Sequence, residues 1–424
     1  MRRLLSLALL LVPSLALSLG CSASATENGA GSADGDEMSE LTSHEAVFLD
    51  FSLRGEVVAP AGVPARQAIV TQLFYTEGRL THFGGNTRPG FVRVKDVTAT
   101  PAADGSQRIT YSAVLPVLWP ANQAQPKKYQ IAVPKKVDQD SLDAFNAKYD
   151  GKCGTNEYGQ STFWHDFDPT VDGCKLEADT LRTTATAKPS SGVVADTYPE
   201  YDKIFADGAL KVVSVVGLDG FSDQPTDLGT RDFEALVRDV TALSHGTVTE
   251  GAKTDFIYRD VTIRGTVSGK KYEHRVFLAG AMEIAPAEFE ARFGPATADA
   301  DVVTYDGHSG LGKNIRGITS RGTVTPGQYQ VWFLDGCNSL GYLDDDFTAK
   351  RRQANGGQDT KFVDIIGNGL PSLWPGDETT SFRLIRSLAD LAHPKTYSAI
   401  LEEFPGNQVP AVVGDEDNAF KPGH

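Results

Sequence analysis

Between residues 46 and 182, apolar and polar positions alternate over short stretches, as they do in half-buried β-strands. Residues 91–97 alternate with period two, and residues 69–75, 108–115 and 129–133 are further strand candidates. Clusters of Pro and Gly separate these stretches, which is typical of the turns between antiparallel strands. The pattern predicts an all-β, sandwich-like N-terminal domain that spans residues 46–182.

From residue 201 to residue 408 the pattern changes to apolar strands that alternate with amphipathic helices. A helix capped by Thr230, a short helix opened by Pro286 and a helix over residues 379–391 carry apolar residues at helical spacing. The predicted strands are residues 210–216, a hairpin of residues 255–265 and 271–278, and residues 302–305, 329–334 and 362–366. Such alternation implies an α/β domain with a mostly parallel sheet and helices on both faces. Ligands bind such sheets at the carboxyl ends of the strands.

The segments that flank these two regions are predicted to lie outside the two domains. Residues 183–200 are rich in Thr, Ala, Ser, Gly and Pro, which predicts a linker, and residues 409–424 are expected to form a C-terminal tail. At the other end, two arginines precede an apolar stretch over residues 4–19 that is too short for a comfortable bilayer span. Residues 1–20 are therefore predicted to be a signal peptide, and the protein is expected to be exported.

Two candidate processing sites follow the signal peptide. The sequence Leu-Ser-Leu-Gly at 17–20 precedes Cys21 and resembles a bacterial lipobox, whereas Ala-Ser-Ala at 23–25 offers a site for ordinary cleavage. Lipidation of Cys21 is favoured because residues 22–43 consist mainly of Ser, Gly, Ala, Asp and Glu, the composition of a flexible tether. Residues 21–45 are thus predicted to be a lipidated cysteine and a linker. The expected location is the outer membrane, through the lipid anchor, with the periplasm or secretion as alternatives.

Three cysteines remain if Cys21 carries the lipid. Cys153 and Cys174 are close in sequence, and an exported protein permits a disulfide between them. A metal site that includes the intervening His165 is the alternative, although the spacing matches no standard zinc pattern. Cys337 is then the odd cysteine, which makes it a candidate reactive thiol.

The charge of the chain limits its partners. The chain holds 55 acidic and 40 basic residues, for a formal net charge of −15. Broad nucleic-acid binding needs a basic surface, so no nucleic-acid partner is expected. No pattern in the sequence implies an organic cofactor or a dedicated metal centre. The run Asp344-Asp345-Asp346 is a candidate for Ca²⁺ binding, with a solvated acidic loop as the alternative.

Two of the predicted strands end in a reactive side chain flanked by glycine. Residues 302–305 lead into Asp-Gly-His308-Ser-Gly, and residues 331–334 lead into Asp-Gly-Cys337-Asn-Ser. If these strands are parallel neighbours, His308 and Cys337 face one another at the same edge of the sheet. The thiolate is the nucleophilic form of cysteine, and a nearby imidazole can deprotonate it and later protonate a leaving amine. The backbone N–H of Cys337 and one just after His308 are candidates to hold a developing oxyanion.

The motifs around these two residues resemble those of the caspase, metacaspase and gingipain group of cysteine peptidases. Residues 335–339, Asp-Gly-Cys-Asn-Ser, are similar to the metacaspase nucleophile motif D-x-C-[HN]-S. Residues 305–308, Tyr-Asp-Gly-His, are similar to the Y-S-G-H-G motif that carries the histidine of the family. With the surrounding strands and helices, the resemblance extends over residues 210–404 and does not cover the N-terminal half.

The resemblance implies a caspase-like fold for the α/β domain and a role for individual residues. Cys337 matches the nucleophile and His308 the general acid/base, while the backbone amides of Ser309 and Cys337 match the oxyanion donors. Asp335 matches an acidic residue that binds a basic P1 side chain, and a carboxylate at the base of a pocket selects Arg or Lys through charge-assisted hydrogen bonds. Ser309 stands where the family usually has glycine.

The sequence therefore predicts a cysteine endopeptidase of the envelope or cell surface, with a His308/Cys337 dyad and cleavage after Arg or Lys. Its expected partners are a peptide or protein substrate and the membrane that holds its lipid anchor. One alternative is a non-catalytic envelope lipoprotein with a caspase-like scaffold, whose β domain binds a glycan or a protein. A second alternative is a thiol amidase that acts on cell-wall peptides.

Overall fold

A computed structural model describes residues 41–43, 45–156, 159–190, 197–220, 222–343, 345–357, 360–372, 378–406 and 408–423. The predicted signal peptide, Cys21 and the tether up to residue 40 lie outside the described residues. These described residues belong to one compact unit, so the two halves of the chain pack against each other. Among the helices of the described ranges, none is both long and apolar enough to cross a membrane.

The described residues form fifteen β-strands and ten α-helices. The strands are β1 (Leu41–Thr42), β2 (Ala46–Pro60), β3 (Asn86–Thr87), β4 (Arg93–Pro101), β5 (Ser106–Pro120), β6 (Lys128–Pro134), β7 (Thr180–Pro189), β8 (Ala209–Gly217), β9 (Thr247–Glu250), β10 (Ile257–Val267), β11 (Lys270–Ala279), β12 (Val302–Asp306), β13 (Gln330–Asp335), β14 (Val363–Asn368) and β15 (Pro410–Val413). The helices are α1 (Ala65–Leu73), α2 (Glu77–His82), α3 (Gln139–Tyr149), α4 (Tyr201–Ile204), α5 (Leu228–Ser244), α6 (Ala287–Thr297), α7 (Lys313–Thr319), α8 (Asp345–Ala354), α9 (Thr380–Ala389) and α10 (Tyr397–Leu401).

The strands of the N-terminal half form one antiparallel sheet. Five of them lie in the order β3-β5-β2-β7-β6, and β4 also pairs with β5. Along β2, Phe51 and Leu53 are buried whereas Ser52 and Arg54 are exposed, which is the alternation expected of a sheet with one covered face. The sheet therefore has an apolar inner face and a polar outer face.

Helices, and not a second sheet, cover the inner face. Helix α1 buries Ile69 and Leu73, and helix α3 buries Phe145 and Tyr149, in the same core as the inner face of the sheet. The expected all-β sandwich is therefore corrected to a single sheet with helices, and residues 69–75, predicted as a strand, begin within α1. The β-branched residues of this segment favour a strand locally, but the i,i+4 pair Ile69 and Leu73 buries against the sheet only as a helix.

The C-terminal half contains a mixed sheet of nine strands in the order β1-β15-β14-β13-β12-β8-β11-β10-β9. The five adjacent strands β11, β8, β12, β13 and β14 are parallel to one another, and every other pairing in the sheet is antiparallel. Helices α5, α9 and α10 pack on one face, and α6, α7 and α8 pack on the other. The prediction of an α/β region with helices on both faces of the sheet is confirmed, as are its hairpin and its strands, but the sheet is mixed: only its central strands are parallel, because β15, β1, β10 and β9 add antiparallel pairs at its two sides.

The cap of helix α5, the predicted linker and the predicted tail differ from what the sequence predicts. Helix α5 is capped by Asp227, whose carboxylate accepts a hydrogen bond from the backbone N–H of Thr230, so Thr230 itself lies inside the helix. Residues 183–189 of the predicted linker belong to β7, and residues 410–413 of the predicted tail form β15. Residues 410–413 are buried because β15 fills the place between β14 and β1 in the sheet.

Cys153 and Cys174 form the predicted disulfide. His165, the third member of the alternative metal site, instead places its Nδ1 3.4 Å from a carboxylate oxygen of Glu77. The loop that the disulfide closes buries Phe163 and Phe167 in the core beneath the antiparallel sheet. The disulfide therefore fixes a segment that completes this core.

Replacing both Cys153 and Cys174 by serine is expected to lower the free energy of unfolding by about 3 kcal/mol, because the cross-link restricts a loop of 21 residues in the unfolded chain. Urea unfolding followed by tryptophan fluorescence measures the change. The wild-type protein in the presence of a reductant is the matched control, and it should lose the same amount. Equal stability of the oxidised wild type and the double variant would contradict this role.

Candidate active site

The carboxyl ends of β12 and β13 bring the two sequence motifs to one edge of the sheet. These strands are parallel neighbours, with Asp306 paired to Asp335 in the register, as the sequence analysis required. The backbone N–H of Gly307 donates a hydrogen bond of 3.0 Å to the carbonyl of Asp335. The loops that follow the two strands therefore start side by side, and they carry His308 and Cys337.

Cys337 lies on a tight turn directly after β13. Its thiol is free and half-buried, and Sγ lies 3.8 Å from the carbonyl oxygen of Ser372. The preceding Gly336 packs so closely that a Cβ there would lie 3.1 Å from the carbonyl oxygen of Gly307 and 3.4 Å from the nitrogen of Ser309. Glycine at this position allows the Cys337 turn and the loop that carries His308 to contact each other through their backbones.

The residues after Cys337 hold the turn in place. Asn338 adopts the left-handed conformation with φ of 53°, and its N–H donates to the carbonyl of Leu370. The hydroxyl of Ser339 donates to the carbonyl of Leu334 at 2.6 Å and accepts from the N–H of Asn368 at 2.9 Å. The Asn-Ser part of the motif therefore ties the turn to both β13 and β14.

His308 forms an ion pair or hydrogen bond with Asp219, which the sequence analysis did not select. Nε2 of His308 lies 3.0 Å from Oδ1 of Asp219, and the two side chains are 52% and 39% exposed. Asp219 follows β8, the parallel neighbour of β12, so its position is also a strand end at the same edge. The carbonyl of His308 accepts hydrogen bonds from the hydroxyl of Tyr305 and the side-chain amide of Asn314. These contacts orient the imidazole and fix its loop.

Replacing Asp219 by alanine is expected to lower kcat by about tenfold, because the carboxylate orients the imidazole of His308 but both side chains are exposed enough for solvent to weaken their interaction. Asp223→Ala, which removes a carboxylate of similar exposure from the same loop, is the matched control. Steady-state kinetics on an Arg-containing peptide compares the two variants. Equal kcat in both would remove Asp219 from the site.

Two backbone donors beside the thiol are unused. Within the part of the chain that the structure describes, neither the N–H of Ser309 nor that of Cys337 donates to a protein acceptor. Ser309 is buried, with 4% of its surface exposed, so its amide is largely shielded from bulk water. Buried amides cost free energy unless a partner satisfies them, which makes this pair suitable for an oxyanion.

Three buried carboxylates lie close to the turn that carries Cys337. They belong to Asp232, Asp306 and Asp335, and we call them the acidic floor. Asp306 and Asp335 end the two central strands, and Asp232 comes from α5. Burial, reinforced by the mutual repulsion of the carboxylates, raises the pKa of Asp232 to about 7 and that of Asp306 well above its ordinary value. Burial also raises the pKa of Asp335 to about 6. The floor is therefore a concentrated but partly neutralised negative site at neutral pH.

The three carboxylates differ in their hydrogen bonds. Both carboxylate oxygens of Asp306 lie 2.7 Å from the hydroxyl of Ser381, which donates to them. Asp335 accepts a 2.7 Å hydrogen bond from the side-chain amide of Asn368. Asp232 is only 4% exposed, and among the described residues its carboxylate has no hydrogen-bond donor. Among the described residues, Asp232 is therefore the member of the floor with no hydrogen bond to its carboxylate.

The N-terminal half of the chain also contacts the residues that follow Cys337. The side chain of Asn338 donates to the hydroxyl of Thr81 on α2, and the hydroxyl of Tyr342 donates to the buried carboxylate of Glu77. The side chain of Asn86 donates to the carbonyl of Gly369, in the loop after β14. The sequence analysis missed these contacts, because nothing in the local pattern links α2 to a turn more than 250 residues later in the chain.

The candidate Ca²⁺ ligands cannot be placed: Asp344 and the side chains of Asp345 and Asp346 lie outside the described residues. Among the His, Cys, Asp and Glu side chains that the structure describes, no group of three or more is arranged to hold a metal ion. Of the predicted site residues, the structure brings His308, Ser309, Asp335 and Cys337 to one edge of one sheet. It adds Asp219, Asp232 and Asp306 to them.

No protein-family model matches this chain, and a search of the curated proteins finds no match.

Proposed function

We propose that this protein is an exported, lipid-anchored cysteine endopeptidase that cleaves after Arg or Lys. One observation carries the proposal: three kinds of group meet at one edge of the sheet. They are the free thiol of Cys337, the imidazole of His308 with its carboxylate partner Asp219, and the backbone N–H groups of Ser309 and Cys337, which donate to no acceptor in the described chain. Each of these groups corresponds to a separate requirement of acyl transfer, and a scaffold without chemistry has no need to assemble all of them.

The chemistry assigned to these groups is a two-step acyl transfer. His308 takes the thiol proton, and the thiolate of Cys337 attacks the scissile carbonyl carbon to form a tetrahedral oxyanion. The amides of Ser309 and Cys337 stabilise the oxyanion, and the protonated imidazole gives its proton to the leaving amine as the C–N bond breaks. Water, deprotonated by His308, then attacks the thioester and releases the acid and the thiol.

The acidic floor supports the basic P1 preference. The carboxylates of Asp335 and Asp306 are two residues before the nucleophile and the histidine, and the carboxylate of Asp232 has no donor of its own in the described chain. A guanidinium or ammonium group would supply donors and positive charge to all three. We assign Asp232 and Asp306, together with Asp335, to the pocket for the P1 side chain.

The acidic floor leads to a predicted pH dependence of substrate binding. Burial raises the pKa of Asp335 to about 6 and that of Asp232 to about 7, so both lose protons between pH 5 and pH 8. A basic P1 side chain binds the charged form. The KM for an Arg substrate is therefore expected to fall roughly tenfold as pH rises over this range. Below its pKa a carboxyl group is mostly protonated, and its charged fraction falls about tenfold with each further pH unit.

A peptide with neutral citrulline at P1 is the matched control for this pH dependence. It should bind weakly at every pH, and its KM should not follow the titration of the floor. A KM for the Arg substrate that stays constant or rises between pH 5 and pH 8 would contradict the assignment of the floor to P1 binding.

A further inference from the structure

The outer face of the antiparallel sheet is an open surface that the proposed peptidase does not use. Its side chains alternate with the buried ones along each strand and point away from the core. We define the outer face by the exposed or half-exposed positions of β2, β4, β5, β6 and β7, which form two rows across the sheet. One row contains Lys95, Ser112, Arg54, Thr184 and Gln130, and the next contains Val114, Ser52, Thr186 and Lys128.

The outer face is basic in a protein with a net charge of −15. Arg54, Lys95 and Lys128 are exposed, and within the described residues none of them forms an ion pair. Two other arginines of the same strands do form ion pairs: Arg93 pairs with Asp50, and Arg108 pairs with Glu56. Three unpaired cations on one sheet face create a local positive potential that favours anions.

A shallow groove of about 410 Å³ runs across these rows. Its lining combines two cations with side-chain hydroxyls, which both donate and accept hydrogen bonds. The two cations are Arg54 and Lys95, and Ser52, Ser112, Thr184 and Thr186 carry hydroxyls. Neighbouring strands place side chains about 5 Å apart, so charged and hydroxyl groups repeat across the groove at the scale of sugar units.

The aromatic side chains of these strands point the other way. Phe51, Tyr111 and Tyr129 are buried on the inner face, so the outer face offers no ring on which a neutral sugar could stack. A membrane-binding face would add protruding apolar residues to its cations, and the two rows contain only Val114, which is half-buried. The groove lining also includes Leu53, Ala113 and Val114, but its cations and hydroxyls, without an aromatic ring, suit a hydrated ligand that carries both negative charges and hydroxyls.

We propose that the outer face binds an acidic polysaccharide, with Arg54 and Lys95 contacting its anionic groups and the Ser and Thr hydroxyls contacting its sugar hydroxyls. This role is independent of the peptidase chemistry. It would hold the protein on an anionic glycan while the other half of the chain meets its substrate.

Polygalacturonate and polyglutamate form a matched pair of probes, because both carry one carboxylate per unit and only the former carries hydroxyls. We expect the full-length protein to bind polygalacturonate more tightly than polyglutamate by several fold at low salt, and not to bind uncharged dextran. Arg54→Glu with Lys95→Glu is expected to weaken binding of polygalacturonate roughly tenfold or more, because exposed charges each contribute modestly. Biolayer interferometry with immobilised polymer measures these affinities.

Lys270→Glu with Lys271→Glu is the control pair, since it makes the same change in net charge at exposed positions of the other sheet. This control should bind polygalacturonate like wild type, and circular dichroism should show that both pairs fold. Equal weakening by the two pairs would reduce the effect to net charge and overturn the proposal. Equal or tighter binding of polyglutamate, binding of uncharged dextran, or no binding of polygalacturonate by folded wild type would overturn it as well.

Discussion

Cys337→Ala is expected to abolish cleavage of peptides after Arg or Lys, because it removes the atom that forms the acyl-enzyme. His308→Ala should lower kcat by a factor on the order of 10² to 10⁴, the usual contribution of a positioned acid/base group. The double variant should be no worse than Cys337→Ala alone, since the two residues act as one unit. Hydrolysis of fluorogenic peptides with Arg or Lys at P1 measures these effects.

Ser309→Ala is the matched control for the dyad variants. Ser309 contributes its backbone amide to the proposed site, and the substitution leaves that amide in place. Its activity should therefore stay within a few fold of wild type, and thermal unfolding should show that all the variants fold. Wild-type activity in Cys337→Ala would reject the assignment of Cys337 as the nucleophile. A loss of activity in Ser309→Ala as large as that in His308→Ala would reject the claim that Ser309 acts only through its backbone amide.

Asp335→Asn is expected to lower kcat/KM for Arg and Lys substrates by about 10² or more, because a buried charge pair that loses one partner typically costs several kcal/mol. The change keeps the size of the side chain and an acceptor for the donor on Asn368, which lies 2.7 Å from the carboxylate. Cleavage of a substrate with neutral citrulline at P1 should fall much less. The ratio of the two kcat/KM values is the measurement.

Asp364→Asn is the matched control for the acidic floor. Asp364 is a buried aspartate on β14, the next strand of the same sheet, where the hydroxyls of Tyr329 and Tyr397 donate to it. Its substitution should lower stability without changing the P1 preference. An unchanged preference in Asp335→Asn, or an equal change in Asp364→Asn, would remove Asp335 from the P1 pocket.

The strands and loops of the proposed site could be predicted because the relevant signals are local. The strands around residues 302–305 and 329–334 are short, apolar and β-branched or aromatic, and each ends in glycine-flanked polar residues. The inference that His308 and Cys337 share an edge needed only one further condition, that the two strands are parallel neighbours. The register of β12 and β13 meets this condition.

The residues that the sequence did not reveal depend on the order of elements across the sheet. Asp219 follows β8, and it reaches His308 only because β8 lies directly beside β12. Asp232 sits on α5 at a position that a helical pattern assigns to the surface or to a cap, and its burial follows from the packing of α5 on the sheet. Local patterns carry no information about such pairings.

Helix α1 shows the opposite error, in which a local preference was misleading. The residues Ile69, Val70 and Thr71 are β-branched and suggest a strand, but Ile69 and Leu73 lie one helical turn apart and bury together against the antiparallel sheet. The tertiary burial of these two side chains outweighs a propensity worth only tenths of a kcal/mol per residue.

Covalent labelling of the full-length protein with an Arg- or Lys-directed acyloxymethyl ketone tests the central claim most directly. The probe reacts with a thiolate that an enzyme has activated and places its basic side chain in the P1 pocket. Mass spectrometry of the digested protein should find the adduct on Cys337, and the adduct should disappear in His308→Ala. Two results would contradict a His308/Cys337 peptidase. One is no adduct on Cys337 in folded protein, although a small alkylating reagent still modifies the Cys337 thiol. The other is an adduct that is equally abundant in His308→Ala.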